Sequence, residues 1–378
     1  MLRVLVVAGP VLLGLLTALY AARPSGFFLA LGAVLAVAII AGDGWILARR
    51  HWITGSLALI TQIAFLIFVG SYVASPLPPP PPLTDPLPQA FPPVGMAMYA
   101  LPTGVNHRTA AFAHRGGSPW EKWDSAMTAV LVRHPQGDVL IDAGLGRTIA
   151  SQFKQMPFLF RLGTDLVPSR AAADQLDAAG YDRKHLRYIL LTHAHWDHVS
   201  GVPDFPGVPV LVTAAEHRYI DDGGWVTATA QDVNKSLLHD YMFEGGRYLG
   251  FDQSHDLYGD GSIVIVPASG HTPGSVVVFV TLPGDARYAF VGDLVWRREA
   301  ILEREERPWI VRNSIDNDPV TAQQSLLRLT AIAIRYPQIT MVPSHDPRAY
   351  ASIPQWSRFV KALGKSRPSD TQVRQNSL

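Results

Sequence analysis

Leu191-Thr192-His193-Ala194-His195-Trp196-Asp197-His198 places four metal-ligand side chains in six consecutive positions. The stretch ends an apolar run, Tyr188 to Leu191, that reads as a strand, so the histidines fall on the loop at its C-terminal end. Imidazole and carboxylate are the usual protein ligands of zinc and related borderline metals. Alternate side chains of an extended backbone share a face. His193 and His195 can therefore grip one ion while the turn carrying Asp197 and His198 reaches a second.

From Met96 onward, short apolar runs alternate with turns and helical patterns. Strands are predicted over Ala126 to Arg133, Val139 to Asp142, Tyr188 to Leu191, Val210 to Thr213, Ile263 to Val266, Val276 to Val280, Tyr288 to Val291 and Gln338 to Val342. Helices are predicted over Ala171 to Ala179, closed by Gly180, and over Pro319 to Tyr336. This alternation predicts an α/β fold of two mixed sheets packed together with helices outside. Four more polar residues interrupt apolar strands at their exits. They are Asp142 in Ile141-Asp142-Ala143-Gly144, His271 in Gly270-His271-Thr272-Pro273-Gly274, Asp293 in Val291-Gly292-Asp293, and His345 in Pro343-Ser344-His345-Asp346-Pro347. Singly, each is an ordinary loop residue. Together with the histidine cluster they point to one metal centre at a common sheet edge.

The His-X-His-X-Asp-His motif, with isolated His, Asp and His in these contexts, resembles the metallo-β-lactamase superfamily over roughly Met96 to Trp356. The resemblance implies an αββα sandwich with a two-metal centre at one edge. On this chain, His193, His195 and His271 would hold the first ion. Asp197, His198 and His345 would hold the second, and Asp293 would bridge both. Asp142 would support the ligands by hydrogen bonding. The implied cofactor is two divalent cations, zinc first, with iron, manganese or cobalt also suited to these ligands.

Two cations that share a carboxylate can share a water and lower its pKa, making hydroxide at neutral pH. No serine or cysteine nucleophile is needed, and the chain has no cysteine. Asp197 is the candidate to pass a proton to the leaving group. The implied bridge and the lack of cysteine resemble the lactonase and glyoxalase II branches more than true β-lactamases. The spacing is similar to that of N-acyl homoserine lactonases, so a lactone or related ester is the expected small-molecule substrate. Thioester and phosphodiester hydrolysis are the alternatives on the same scaffold, and a metal-binding membrane sensor is a further one. One departure concerns the residues after Asp293: several such lactonases carry a carbonyl-polarising tyrosine there, whereas this chain has Trp296. Phe158, Phe160 and Trp296 are expected to line the substrate pocket. Trp225, Tyr241, Phe243 and Phe251 divide between pocket and core, and His107, His114, His134, His217, His239 and His255 are surface or structural residues.

N-terminal to this domain the composition changes. Hydrophobic residues make up 48% of the 378 and charged residues 17%, the apolar excess lying at the N-terminus. Runs Val4 to Ala22, Phe27 to Leu47 and Trp52 to Ala74 each approach the ~20 residues of a membrane-spanning helix. A cleaved signal peptide is the alternative for the first, with Arg3 before it and Tyr20-Ala21-Ala22 behind. Three spans over 1–75 are expected. Arg3, Arg49 and Arg50 fall on one side against Arg23 on the other, which predicts a multi-pass protein of a bacterial inner membrane with the catalytic domain outside the cytoplasm. Residues 76–94, with Pro78 to Pro82 at their centre, read as a semi-rigid spacer. The hydrolase domain is expected over 95–364 and a disordered polar tail over 365–378. A net charge of +1 gives no reason to invoke nucleic acid; the expected partners are the lipid bilayer and a small ester or lactone.

Overall fold

The structure, a computed structural model, describes residues 8–17, 31–39, 42 and 52–356. Among the described residues, twelve strands form two sheets. In chain order they are β1 (Ala97–Thr109), β2 (Lys122–Arg133), β3 (Asp138–Ile141), β4 (Leu166–Pro168), β5 (Leu186–Leu190), β6 (Val210–Thr213), β7 (Leu238–Tyr241), β8 (His255–Asp256), β9 (Ile263–Pro267), β10 (Val276–Leu282), β11 (Ala286–Phe290) and β12 (Ile339–Val342). The first sheet has the order β4-β1-β2-β3-β5-β6-β7 and the second β12-β11-β10-β9-β8.

The period-two side-chain alternation of a strand explains how the layers stack. Ile263 and Ile265 of β9, with Val276, Val278 and Val280 of β10, face Val130, Val132, Val139 and Ile141 of the other sheet. Val264, Val266, Val277 and Phe279 turn the opposite way, against Leu326, Leu329 and Ile332 of the helix Pro319–Arg335. On the far side of the first sheet, Leu131, Leu140 and Ile189 pack on Ala173 and Leu176 of the helix Ala172–Asp177 and on Ile220 of the helix Ala214–Asp222. Strands buried on both faces read as unbroken apolar runs, as Val276 to Val280 does. The result is helix, sheet, sheet, helix, as expected from the sequence.

β3, β5, β6 and β7 run parallel, as do β11 and β12. Parallel neighbours end at the same edge, so Asp142, His193, Asp293 and His345 leave their strands together. β1 was not anticipated. Pro102 and Gly104 break its apolar pattern, and the ladder to β2 shifts register between them.

The proline-rich segment differs from expectation. It is a strap on the second sheet's helical layer and not a free spacer. Leu77, Leu83 and Leu87 pack against the core formed by the helix Pro319–Arg335. The Leu77 N–H donates to the Arg304 carbonyl at 2.9 Å, the Phe91 N–H to the Asp260 carbonyl at 2.7 Å, and Arg287 to the Pro88 carbonyl at 2.8 Å. Asp85 accepts from Arg247 at 2.9 Å and from the Gly250 N–H at 2.7 Å. Prolines cannot pair as a strand, but their carbonyls still accept hydrogen bonds and the leucines between them still bury apolar surface.

Residues 8–17 and 31–39 are helical, and Leu13, Leu16, Leu35 and Ile39 pack together. Trp52–Gly70 is a further helix, with Leu59, Ile60, Ile63 and Leu66 exposed. Among the described residues no helix is long and apolar enough to cross a membrane, so the three expected spans gain no support from them. The parts of the first two runs outside these stretches, and the expected tail at 365–378, lie outside the described residues.

The strap predicts a pH-dependent stability. Burial pushes the Asp85 carboxyl up, but Arg247 and the Gly250 N–H outweigh it and hold the group below the usual carboxylate range. Its contribution is therefore present above the unfolded value and lost as pH falls through the folded one. Asp85→Ala should cost about 1–3 kcal/mol at neutral pH, and less in acid, by thermal or denaturant unfolding. An unchanged melting temperature would mean that the Asp85 contacts do not hold the strap.

Candidate metal centre

The histidine loop is held from below by Asp142. This residue has a left-handed φ of 55°, which aspartate tolerates through its short polar side chain. Its two oxygens accept the Thr192 N–H and the Thr192 hydroxyl, both at 2.8 Å. Oδ2 also accepts from His198 Nδ1 at 2.7 Å, so Nε2 of that ring faces inward. With its own proton committed to Asp142, the Thr192 hydroxyl accepts from His193 Nδ1 at 3.2 Å. His195 lies with Nε2 3.4 Å from the Tyr219 hydroxyl, leaving Nδ1 free for an ion. The chain then turns into the short helix Trp196–Val199, which carries Asp197 and His198.

Three loops of the second sheet close over this platform. Gly270 has a φ of 132°, and a Cβ there would stand 2.2 Å from the Ala322 N, so only glycine lets the His271 loop approach the helix Pro319–Arg335. His271 Nδ1 lies 2.7 Å from Asp316 Oδ1. Asp293 follows β11, and its Oδ2 accepts from the Trp296 indole at 2.8 Å. His345 follows β12 and donates from Nδ1 to the Ala126 carbonyl at 2.7 Å.

All seven candidate ligands come together. His193, His195 and His271 form one group, His193, His198 and Asp293 a second, and Asp197, His198 and His345 a third, each with ligand atoms within 4.8 Å of one another. Asp293 is central. Its oxygens lie 3.0 Å from His345, 3.2 Å from His198, 3.7 Å from His271 and 4.0 Å from His193.

The buried donor set fits divalent cations. Nε2 of His193, His198 and His271 and Oδ1 of Asp293 are buried without a hydrogen-bond partner. Such atoms cost free energy unless something coordinates them. Burial, then neighbouring histidines, pushes His193 and His195 well below the usual imidazole value, leaving neutral rings with free lone pairs. Burial also opposes charge on His198 and His345, but carboxylates led by Asp142 for the first and Asp293 for the second hold both above it. Burial would raise Asp293, yet His345 and His198 outweigh it and keep the carboxylate ionised. Burial raises Asp197 despite His198 and His345. Bound cations would take the place of these protons.

A cleft opens onto the centre. Phe112, Trp123 and Trp296 line one wall, Phe160, Trp196 and Trp225 the other, with Asp197 and His345 at its floor. Trp296 is thus in the cleft as expected, but its N–H is engaged by Asp293. Phe160 is also in the cleft. Phe158 is not; it stands 67% exposed, because the helix Phe158–Leu162 turns it away from Phe160. Tyr241, Phe243 and Phe251 belong to the cores. His107, His134 and His217 pair with Asp124, Asp260 and Asp240, away from the centre. Asp346 caps the turn Pro347–Tyr350 and pairs with Arg348.

Glu216 was missed. Thr213-Ala214-Ala215-Glu216 has the pattern of a helix capping box, in which the glutamate is usually exposed. Here Thr213 caps as expected, accepting the Glu216 N–H at 3.1 Å, but the carboxylate points inward. It accepts the Ala194 N–H at 2.6 Å on one side, and the Thr272 hydroxyl at 2.7 Å and the Gly274 N–H at 2.9 Å on the other. One side chain thereby joins the His193–His195 loop to the His271 loop. Burial pushes its carboxyl up to about 7 against those three donors. Glu216→Ala strands two backbone N–H groups. It should weaken metal binding about 10–100-fold, read by chelator competition, because partners of this kind hold ligand loops in place. Unchanged affinity would make Glu216 a core residue only.

The comparisons with known proteins agree with this geometry. A family model described as the metallo-beta-lactamase superfamily matches residues 125–345. An N-acyl homoserine lactonase, AttM, of Agrobacterium fabrum is 25% identical over 244 residues, covering 61% of this chain and 84% of that protein. A "probable metallo-hydrolase" of Mycobacterium tuberculosis is 28% identical over 242 residues, covering 58% of this chain and 74% of its own. Among solved structures, an N-acyl homoserine lactone hydrolase with N-hexanoyl-L-homoserine at its catalytic metal centre has the same fold. Its TM-score is 0.54 at 18% identity, over 68% of this chain and 96% of that one. With the match running from β2 to His345 and every motif residue gathered at one sheet edge, this chain belongs to the metallo-β-lactamase superfamily and is a metal-dependent hydrolase.

Proposed function

We propose that the chain is a dinuclear hydrolase of a lactone or related ester, with N-acyl homoserine lactones as the leading substrate class. The observation that carries the reading is the overlap of the three ligand groups, in which His193 and His198 each belong to two and Asp293 stands between them. Lactonases among the relatives support the choice of bond. When bound, two divalent cations supply an activated water and a Lewis acid for the carbonyl. The chain's own residues set the rest. Asp197 lies on the cleft floor with Oδ2 3.4 Å from His345 Nε2, where it can hand a proton to a leaving alcohol. The aromatic walls exclude water from the reacting group. The cleft has a volume of about 60 Å³ and opens to solvent at its mouth. A longer acyl tail then lies across the mouth, over exposed Phe158 and Leu159 beside the lining residue Phe160.

Trp296 supports keeping a second reading. Its indole N–H is spent on Asp293, so it offers no donor to a lactone carbonyl. A phosphodiester, which has no carbonyl to polarise, fits that difference, while a thioester is the alternative on the scaffold alone.

The N-terminal segment is proposed to hold this domain at a bilayer, outside the cytoplasm. The asymmetry of Arg3, Arg49 and Arg50 against Arg23 supports this orientation. The exposed Leu59, Ile60, Ile63 and Leu66 of the helix Trp52–Gly70 support contact with a bilayer. After that helix the chain meets the domain, where the Gly116 N–H donates to the Tyr72 carbonyl at 2.8 Å and Arg115 to the Val73 carbonyl at 3.1 Å. Gly116 has a φ of 79°, and a Cβ there would meet Ala74 at 2.9 Å.

Three experiments test these readings. Assayed on lactones, thioesters, phosphodiesters and β-lactams, the chain should turn over lactones fastest and lose activity to a chelator. Asp197→Asn should lower kcat by about 10²–10⁴. Faster thioester or phosphodiester turnover would replace the lactone reading. For topology, a reporter active only in the cytoplasm, fused after Pro93, should be silent; strong signal would reverse the orientation.

A further inference from the structure

We infer that Arg307 is the positioning residue for one half of the metal centre, acting through Asp316, Asp293 and Trp296. Its guanidinium is 5% exposed and makes three separate connections. One nitrogen donates to both Asp316 oxygens, at 3.0 and 3.1 Å. The other donates to the Asp293 carbonyl. The plane lies 4.5 Å from the centre of the Trp296 ring. Each partner touches a candidate ligand in turn. Asp316 Oδ1 accepts from His271 Nδ1, Arg307 holds the Asp293 backbone directly, and the Trp296 indole donates to Asp293 Oδ2.

The chemistry of the pair explains why arginine is needed. Two N–H donations from Arg307 fix the Asp316 carboxylate, which keeps its Oδ1 on His271 Nδ1 and so turns Nε2 of that ring inward. A planar guanidinium also meets both carboxylate oxygens and a carbonyl at once, and stacks on an indole, which an ammonium cannot do. The bracket is short in sequence. Arg307 and Asp316 flank the helix Trp309–Ile315, and the Asp316 N–H caps it by donating to the Arg312 carbonyl at 2.8 Å.

The other candidate ligands have different supports. His198 is held by Asp142, His345 by the Ala126 carbonyl, His193 by Thr192, and His195 by Tyr219. Loss of Arg307 therefore disturbs the ion shared by His193, His195 and His271 more than the ion shared by Asp197, His198 and His345. This inference rests on the dinuclear reading above.

The test is a metal titration of the full chain, stripped and refilled with Co²⁺, following its visible absorption and its competition with a chelator. The wild-type chain should take up two equivalents. Asp316→Asn, nearly isosteric, should weaken one step about 10–100-fold and leave the other close to wild type, and Arg307→Met should weaken that step as much and the other, through Asp293, less. Combining them should add little, and Arg307→Lys should rescue only in part. Equal weakening of both steps, or no change in a variant whose melting is cooperative, overturns the inference. If Arg307→Met does not fold, Asp316→Asn alone decides. Uptake of a single equivalent by the wild-type chain would end the dinuclear reading instead. A 10–100-fold loss of that one ion in Asp316→Asn would still uphold the role of Arg307.

Discussion

A buried carboxylate ringed by imidazoles is the constraint on which this molecule depends. Asp293 has four histidine nitrogens within 4.0 Å, and three of those rings present a nitrogen that no hydrogen bond satisfies. Each unsatisfied buried polar atom costs about 1–3 kcal/mol. A fold that gathers several must recover the cost, and divalent cations would do so by coordinating the same lone pairs. The rest of the structure holds those side chains rigid enough for that exchange to be favourable. Parallel pairs in both sheets bring their strand ends to one edge, and the two aliphatic cores between and behind the sheets fix the edges relative to each other.

Behind the candidate ligands, a ring of carboxylates and carbonyls sets which nitrogen each imidazole turns inward. Asp142 does this for His198 and Asp316 for His271, while the Ala126 carbonyl does it for His345. Glu216 works on backbone, joining the two loops that carry the first three histidines. The cleft follows from the same arrangement. Trp296 is both a wall of the cleft and a donor to Asp293, so one side chain joins the cleft to the candidate metal site.

The histidine motif was legible because its residues are consecutive and stand where an apolar strand stops. His271, Asp293 and His345 were legible for the same reason: a polar group at the exit of an apolar run. The predicted strands β5, β6, β9, β10, β11 and β12 lie within a few residues of their observed bounds, since both faces are buried and the runs are unbroken. What was hidden depends on contacts far apart in sequence. Glu216 carries the pattern of an exposed capping residue. Arg307 and Asp316 sit in a charged stretch, Glu303 to Asp318, that reads as a solvated surface. β1 was masked by Pro102 and Gly104, and the strap by prolines that favour an extended chain whether or not it is docked.

The most direct measurement is an anomalous difference map from crystals of the chain loaded with zinc. The account predicts two peaks about 3.5–4 Å apart, the spacing of two-metal hydrolytic sites, with Asp293 between them. His193, His195 and His271 should surround one peak, and Asp197, His198 and His345 the other. A single peak, or one that leaves Asp293 and His345 uncoordinated, would contradict it.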